Sequence, residues 1–361
     1  MKILFVLENF YPKIGGVETL FYNLTNELAD RGHRVVVVTS GLELDNVRSE
    51  QLRDGITIKR LRSSNRYFFT FLSLLKIMKY AIQCDIIHTT SYNAGFPSSI
   101  AGFLTRKPVL ITFHEYWGRM WYELPYMSKL GKWLHYIFEA FLLKLPFTTF
   151  VAVSKYTYKR LRQAGIKESK TAMIYNGLNY NEFNTIIPDH KYKRFVFYGR
   201  LGISKGIDLL IKSVSNIEDL KGFEFNLILS ERKGEYLKEL YRIRDRLKLN
   251  SSVKFVDTMP FDDLKKFIKE SYAVVIPSYS EGFCFVAVET MALGIPVVSS
   301  GRGALSEVVS GQHLHFSPFS EEACTEALIK AINGEWNHTS SKKFLLNDHV
   351  DGYEKLYQSI V

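Results

Sequence analysis

The chain has 361 residues, 46% hydrophobic and 14% aromatic, which is more than one hydrophobic core usually organises and points to two globular domains. Three widely spaced cysteines, Cys84, Cys284 and Cys324, with no CxxC, give neither a disulfide framework nor a thiolate zinc site, so a reducing compartment is expected. The net charge of +10 is uneven: residues 1–178 hold 24 Lys and Arg against 13 Asp and Glu, and the remainder 23 against 24. That basic half lacks an arginine-rich run, a zinc finger or an aromatic RNA-binding signature. A phosphate-bearing acceptor or an anionic membrane surface is therefore the expected partner, and nucleic acid is not.

In chain order, strand-like runs alternate with helical periodicity, the pattern of an α/β protein built on parallel sheets. The opening strand, 2–7, carries one Lys and no cleavage-type tail, unlike a signal peptide, so a cytoplasmic protein is expected. Further strands are expected at 34–39, 56–61, 85–88, 108–113, 148–153 and 171–175. Between most of them the spacing predicts helices, over 17–31 with Gly32 as its stop, and over 68–82, 97–104, 131–143 and 155–164. No span of about 20 predominantly apolar residues occurs. The nearest, 133–153, is broken by Glu139, Lys144 and Pro146. After the Asn176-Gly177 turn, the polar stretch 179–193 reads as a linker. Strands then recur at 194–198, 225–229, 253–256, 273–276 and 296–299, and 351–360 reads as a closing amphipathic helix.

Four loops carry the chemistry. Gly15 and Gly16, in Tyr11-Pro12-Lys13-Ile14-Gly15-Gly16-Val17-Glu18, open a helix, where backbone donors and the dipole favour an anion; a plain turn is the alternative. Neither GxGxxG nor GxxxxGK[ST] is present there, which removes the dinucleotide and P-loop readings. Thr112-Phe113-His114-Glu115 closes a predicted strand, the usual place for ligand contacts in open α/β sheets, although a lone His is often simply packed. Phe197-Tyr198-Gly199-Arg200-Leu201-Gly202-Ile203-Ser204-Lys205-Gly206 puts a guanidinium and an ammonium beside a helix start, a site for a diphosphate unless both are solvated surface cations. Lastly, Pro277-Ser278-Tyr279-Ser280-Glu281-Gly282-Phe283-Cys284 leads into a helix with Glu289 about two turns along. The spacing sets two carboxylates about 12 Å apart on one side, with the amides of Gly282, Phe283 and Cys284 between. Read alone, Glu281 is equally a helix cap and Glu289 an ordinary solvated or paired acid.

Together these stretches, Gly-Gly-Val-Glu, Phe-His-Glu, Gly-Arg-Leu-x-x-x-Lys-Gly and Ser-x-x-Glu-Gly-Phe with Glu289 beyond, resemble the motifs of the retaining glycosyltransferases of the sucrose-synthase/mannosyltransferase-like family, glycosyltransferase family 4 or glycosyl transferases group 1. The resemblance spans residues 15–296 in family order. It implies a GT-B fold, α/β, with two Rossmann-like parallel-sheet domains facing a central cleft. The expected division is an acceptor domain at 1–178, a linker at 179–193, a nucleotide-sugar domain at 194–340, and 341–361 as a helix returning toward the first domain.

The implied reaction moves a hexosyl group from a nucleotide diphosphate sugar to an acceptor hydroxyl with retention, by front-face attack assisted by the departing phosphate oxygen, in glycan, glycolipid or cell-surface polysaccharide synthesis. By the same resemblance His114 and Glu281 lie beside the reacting sugar, Gly15, Gly16, Arg200 and Lys205 at the donor diphosphate, Glu281, Gly282, Phe283 and Cys284 at the donor sugar, and Glu289 at the ribose. No cofactor or metal is expected, because the chain has no Asp-x-Asp to hold the cation of a metal-dependent transferase. Three departures stand out: Glu115 where the family usually has Asp, Ser230-Glu231-Arg232-Lys233-Gly234 in place of Gly-x-Gly-Pro, and Cys284 where Gly is common. A sugar-nucleotide epimerase of the same fold, or a non-catalytic sugar- or nucleotide-binding protein, are the alternatives. The latter would be expected to have lost Glu281, Arg200 or Lys205.

One further expectation is peripheral attachment to the cytoplasmic membrane face, with a lipid-linked or otherwise amphiphilic acceptor. Arg60, Arg62 and Arg66 lead into the apolar stretch 67–80, and a second aromatic-basic stretch runs through Trp117, Trp121, Tyr122, Tyr126, Lys129, Lys132 and Trp133.

Overall fold

Uninterrupted apolar runs such as Ile3-Leu4-Phe5-Val6 and Val35-Val36-Val37-Val38 are buried on both faces, as strands interior to a parallel sheet must be. The computed structural model describes residues 1–13, 15–41, 49–61, 66–183, 191–230 and 233–361. In chain order the elements are β1 (Lys2–Leu7), α1 (Gly16–Asp30), β2 (Arg34–Ser40), β3 (Ser49–Arg53), β4 (Ile56–Leu61), α2 (Arg66–Leu72), α3 (Leu74–Ala81), β5 (Ile86–Thr90), α4 (Gly95–Thr105), β6 (Val109–Phe113), α5 (Lys129–Leu142), β7 (Thr149–Ala152), α6 (Lys155–Gln163) and β8 (Thr171–Met173). They continue as β9 (Arg194–Gly199), α7 (Ile207–Ser215), β10 (Glu224–Leu229), α8 (Glu235–Arg246), β11 (Val253–Val256), α9 (Phe261–Lys269), β12 (Ala273–Ile276), α10 (Phe285–Ala292), β13 (Val297–Ser299), α11 (Leu305–Val308), β14 (Gln312–His315), α12 (Glu321–Ile332), β15 (Asn337–His338) and α13 (Leu346–Ile360). Short 3-10 turns include Gly118–Glu123, Tyr180–Glu182 and Ile203–Lys205.

The chain divides into two compact units: Met1–Trp121, Lys129–Leu178 and Phe344–Val361 in one, Tyr122–Ser128 and Asn179–Lys343 in the other. The first holds an eight-stranded sheet in the order β3-β4-β2-β1-β5-β6-β7-β8, parallel except for edge strand β3. The second holds seven strands in the order β11-β10-β9-β12-β13-β14-β15, parallel except for edge strand β15. In each sheet the strand order reverses once, between β1 and β5 and between β9 and β12, and open α/β sheets bind ligands outside the strand carboxyl ends at such a point.

Three expectations need correction. Residues 122–128, counted within a continuous 1–178 domain, belong to the second unit, where Glu123 pairs with Arg302 at 2.6 Å and the Tyr126 ring lies 5.5 Å from that of Tyr236. The helix expected over 68–82 is divided at buried Ser73, which still bonds to both sides, Ser73 N to Phe69 O at 3.1 Å and Ile77 N to Ser73 O at 2.8 Å. Strands β3, β14 and β15 went unread because Ser-Glu-Gln-Leu-Arg, Gln-His-Leu-His and Asn-His are short and polar, a composition that sheet edges and their neighbours tolerate. The expected linker at 179–193 contains the 3-10 turn Tyr180–Glu182, and its residues 184–190 lie outside the described residues.

Helix α13 is part of the first unit's interior. Leu346, Val350, Tyr353 and Tyr357 join Ile3, Phe5, Leu7, Phe21 and Leu24 in one apolar cluster on one face of the sheet. Inside it runs a polar chain: the His88 imidazole lies 2.6 Å from the Tyr357 hydroxyl through Nδ1 and 2.8 Å from Thr112 Oγ1 through Nε2, and Thr112 Oγ1 lies 2.8 Å from the Tyr353 hydroxyl. Burial holds His88 well below the ordinary histidine range, so the ring is neutral, one nitrogen donating and the other accepting. Tyr357→Phe removes the Nδ1 partner and leaves a buried ring nitrogen unsatisfied. Chemical denaturation is expected to show a loss of about 1–3 kcal/mol, against a near-silent change at exposed Tyr192.

Candidate functional site

The second unit's site is assembled where β9 and β12 end side by side. From β9 the chain passes Arg200, which is exposed, turns through Ile203–Lys205 and enters α7 at Gly206 with φ +65°. Here glycine is required twice over: the backbone is left-handed, and a Cβ would stand 2.0 Å from the carbonyl oxygen of Pro277, the first residue after β12. The two loops are also joined by the Tyr279 amide donating to Ser204 O at 2.8 Å. This contact brings Lys205 Nζ within 2.7 Å of Glu281 Oε1, which also accepts from Ser278 Oγ at 2.6 Å. Glu281 and Ser278 are buried, and Lys205 is half-buried.

Helix α10 begins only at Phe285, so Glu289 lies about one turn into it, not two as the sequence spacing suggested, and Gly282, Phe283 and Cys284 precede its N-terminus. The Glu289 Oε2 atom accepts from the Tyr198 hydroxyl at 3.1 Å; that hydroxyl also lies 3.0 Å from Val286 O and 3.3 Å from Thr290 Oγ1. Burial, with a smaller push from the Glu182 charge, raises the Glu289 carboxyl to about 7 against the lowering effect of Tyr198. Burial likewise raises the Tyr198 phenol well above its usual value, so it stays a donor. Cys284 has φ +78°, which accounts physically for the glycine common there: a non-glycine residue in this region is strained by roughly 1–2 kcal/mol. Burial, then the Glu281 charge, pushes its thiol well above the usual range, so it is no nucleophile.

Behind Glu281 stands a support that sequence reasoning missed. Gly303, after β13, has φ +67°, and a Cβ on it would lie 2.3 Å from Glu281 O and 2.7 Å from Glu281 N. The Ala304 amide donates to Glu281 O at 2.7 Å, and Ser300 Oγ to Ser278 O at 2.6 Å. Tyr198, adjoining the Gly199-Arg200 motif, and the Gly301-Arg302-Gly303 sequence were the available signals.

In the first unit, Gly15 caps α1, with Thr19 N bonded to Gly15 O at 2.8 Å. Its φ of 178° is extended backbone that any residue adopts; what approaches it is the Glu18 carboxylate, 2.3 Å from where a Cβ would be. Gly16 opens the helix, and Ile14 lies outside the described residues, as do Glu231 and Arg232 of the expected 230–234 loop. His114 follows β6 directly, half-buried, its ring edge-on to Phe21 of α1 at 5.8 Å. Thus one unit brings Gly15, Gly16 and His114 to the ends of its strands, and the other brings Arg200, Lys205, Glu281 and Glu289 to the ends of its own. Among the described residues no group of three or more His, Cys, Asp and Glu is arranged to hold a metal ion.

Two Rossmann-like α/β units in one chain, with acids and cations at the strand carboxyl ends, define a GT-B glycosyltransferase fold. Residues 14–182 match the family described as Glycosyltransferase Family 4, and residues 181–344 the one described as Glycosyl transferases group 1. The chain belongs to this family and is a glycosyltransferase, of hexosyltransferase type, with a nucleotide-sugar donor. It is similar to an uncharacterised glycosyltransferase of Methanocaldococcus jannaschii, at 29% identity over 341 residues, 86% of this chain and 83% of that one. The gpi3 component of phosphatidylinositol N-acetylglucosaminyltransferase from Schizosaccharomyces pombe is 24% identical over 98% of this chain and 80% of its own. Among solved structures, HepE of Anabaena in complex with UDP and glucose superposes with a TM-score of 0.74 at 20% identity, covering 99% of this chain and 100% of that one, a likeness of fold.

Gly303→Ala tests the support behind Glu281. With backbone atoms of Glu281 closer than any Cβ tolerates, and φ positive, the expected cost is about 2 kcal/mol or more by denaturation, and the thermal shift given by a bound nucleotide sugar should fall with it.

Proposed function

We propose that the chain transfers a hexosyl group from a nucleotide diphosphate sugar to an acceptor hydroxyl with retention at the anomeric carbon, working without a metal or cofactor. The observation that carries this reading is the Lys205–Glu281 pair at 2.7 Å, held where β9 and β12 end. In the free protein Lys205 neutralises Glu281. An arriving diphosphate offers the ammonium a stronger, doubly anionic partner, and Arg200, exposed on the same loop, adds a second cation. Glu281 is then released to accept from hydroxyls of the donor sugar, with Ser278 keeping its orientation. The amides preceding α10, at Gly282, Phe283 and Cys284, face the same sugar and phosphate. Glu289 takes the ribose hydroxyls, and within the first unit His114 keeps the role expected of it toward the reacting sugar and Gly15 and Gly16 theirs toward the diphosphate. The leaving diphosphate is stabilised by Arg200 and Lys205, and front-face attack assisted by its oxygen needs no carboxylate as covalent nucleophile. Support for a uridine nucleotide comes from HepE, which was solved with UDP and glucose.

The expected acceptor is lipid-linked or otherwise amphiphilic, reached at the cytoplasmic face of a membrane, in glycan or cell-surface polysaccharide synthesis; a relative named for phosphatidylinositol supports this reading. So does one face of the first unit. Helices α2, α3, α4 and α5 leave large apolar side chains in solvent: Phe71 is 74% exposed, Leu75 80% and Phe103 72%, with Ile82, Leu130, Trp133 and Leu134 also exposed. Lys79, Arg106, Lys129 and Lys144 are exposed among them, the mixture that an anionic interface attracts. No helix of the described residues is long and apolar enough to cross a membrane. Two residues expected in this role do not serve it: Arg60 is buried, paired with Glu50 and donating to Tyr11 O at 2.7 Å, and Trp117 is buried. Tyr126 is 49% exposed but belongs to the second unit. Arg62 lies outside the described residues.

Arg200→Ala and Lys205→Ala should each lower transfer by about a hundredfold or more, with chelator leaving the wild-type rate unchanged. A rate abolished by chelator and restored by Mg²⁺ or Mn²⁺ would refute the metal-free reading. Since an ionised Glu289 is the better acceptor for ribose hydroxyls, nucleotide-sugar affinity should rise as pH rises through about 7, and Glu289→Gln should flatten that dependence in calorimetry. For the membrane, co-sedimentation with anionic liposomes at low salt is expected, diminished by Phe71→Ser with Leu75→Ser; absence of binding at low salt would favour a soluble acceptor.

A further inference from the structure

Glu139, on α5, is only 4% exposed, and its two carboxylate oxygens are spent on two neighbouring backbone donors: Oε2 accepts from the Gly118 amide at 2.7 Å and Oε1 from the Trp117 amide at 3.3 Å. Both amides belong to the turn that leaves β6 just after His114. Arg160 of α6 holds the turn's other side, donating to Trp117 O at 2.7 Å with its guanidinium 5.7 Å from the centre of the Tyr116 ring. Gly118 has φ +52°, and a Cβ there would press at 3.2 Å on the Tyr116 ring and at 3.3 Å on the Arg160 guanidinium. Beyond it Trp121 stacks on His135 at 4.4 Å and lies 5.3 Å from Trp117, and its indole nitrogen approaches the Glu139 carboxylate without a well-formed bond. Residues 116–118 are therefore gripped from two helices, immediately after the expected site histidine.

We propose that Glu139 is a positioning residue of the transfer site, its carboxylate fixing the turn at 116–118 and thereby the place of the His114 imidazole. The inference rests on the reading of His114 as a side chain beside the reacting sugar. Two parallel amides demand two acceptors on one rigid group, which a carboxylate offers and an amide side chain does not: a Gln would set an N–H against an N–H. A buried acid is also a costly filler, because its charge is desolvated. Burial raises Glu139 to about 7, opposed by the Gly118, Trp121 and Trp117 donors and by the charge of Arg160. The other titratable groups around it are Tyr116, on the turn, whose phenol is raised by burial and then by Glu139 itself, and His135, on its own helix, behind Trp121. A carboxyl whose folded pKa is raised contributes stability below its unfolded value of 4.5 and loses it as pH rises through about 7. The clamp is thus engaged where it helps folding least, which separates placement from folding as its role.

The test uses the full chain. Tryptophan fluorescence is followed from about pH 5.5 to about 8.5 in wild type and in Glu139→Gln. Amide exchange is read at Trp117 and Gly118, and carbethoxylation of His114 by diethyl pyrocarbonate is read by peptide mass spectrometry. The wild type should show a transition near 7, absent in the variant, and the variant's two amides should exchange about tenfold faster or more. His114 should change several-fold in reactivity, and kcat should fall more than KM for the nucleotide sugar. If Glu139→Gln folds poorly, wild-type protection of the Trp117 and Gly118 amides, corrected for intrinsic exchange and compared below and above about pH 7, remains decisive: it should rise with pH, and no rise would overturn the inference. Unchanged exchange and unchanged His114 reactivity in a folded variant would overturn the inference. Faster exchange combined with a fully active His114→Ala would instead overturn the reading of His114, and with it the link from clamp to transfer.

Discussion

The second unit depends on the absence of one methyl group. Because Gly206 carries no Cβ, the start of α7 lies directly against the carbonyl of Pro277, and two loops that leave neighbouring strands at the reversal of the sheet become one surface. The Lys205–Glu281 ion pair, the Tyr279–Ser204 backbone bond and the Gly303 contact behind Glu281 are all secondary to that approach. Strands alone would place a lysine and a glutamate in the same region. Only the close backbone contact, which admits glycine and nothing larger, brings them to hydrogen-bonding distance.

The first unit meets the same requirement by other means. Its strand ends are backed by a helix from the far end of the chain, and the connection is polar: Thr112, two residues before His114, bonds Tyr353 and His88, and His88 bonds Tyr357. A wholly apolar contact would allow α13 to slide by small amounts, whereas a chain of directed hydrogen bonds fixes its register. The turn after His114 is then held by Glu139 and Arg160, so both flanks of the histidine are specified by directed bonds.

Much of this was legible in the sequence. Valine-rich runs gave the central strands to within a residue or two, since burial on both faces leaves little freedom of composition. Gly-Arg-Leu-x-x-x-Lys-Gly and Ser-x-x-Glu-Gly-Phe located the second unit's loops because glycine and charge together are rarely incidental. What escaped was of two kinds. Edge strands such as Ser49–Arg53 are paired on one side only, so their composition carries no periodic signal. Partners distant in sequence, Tyr198 for Glu289, Gly303 for Glu281 and Glu139 for Gly118, are specified by tertiary proximity alone. Reading Glu289 as two turns into its helix failed for a local reason: 281–284 are not helical, and the strained Cys284 marks where the helix begins.

The protonation states of the buried groups divide along the same line as their roles. His88 and His349 are held neutral by burial, the latter at about 4, and both knit α13 to the first unit's interior; His315, also about 4, lies 2.7 Å from the hydroxyl of Ser299 on β13, the strand beside β12. A depressed histidine contributes stability that is complete above about 6.5 and lost as pH falls, so these contacts favour folding at neutral pH. Glu139 and Glu289, both raised to about 7, act in the opposite sense, their ionisation subtracting from stability as pH rises from about 4.5 to about 7. The contacts that hold α13 are therefore made by neutral donors and acceptors, whose desolvation is modest, whereas Glu139 and Glu289 are acids desolvated enough to be raised to about 7. Acids that folding alone would disfavour are the ones whose positions a substrate can justify.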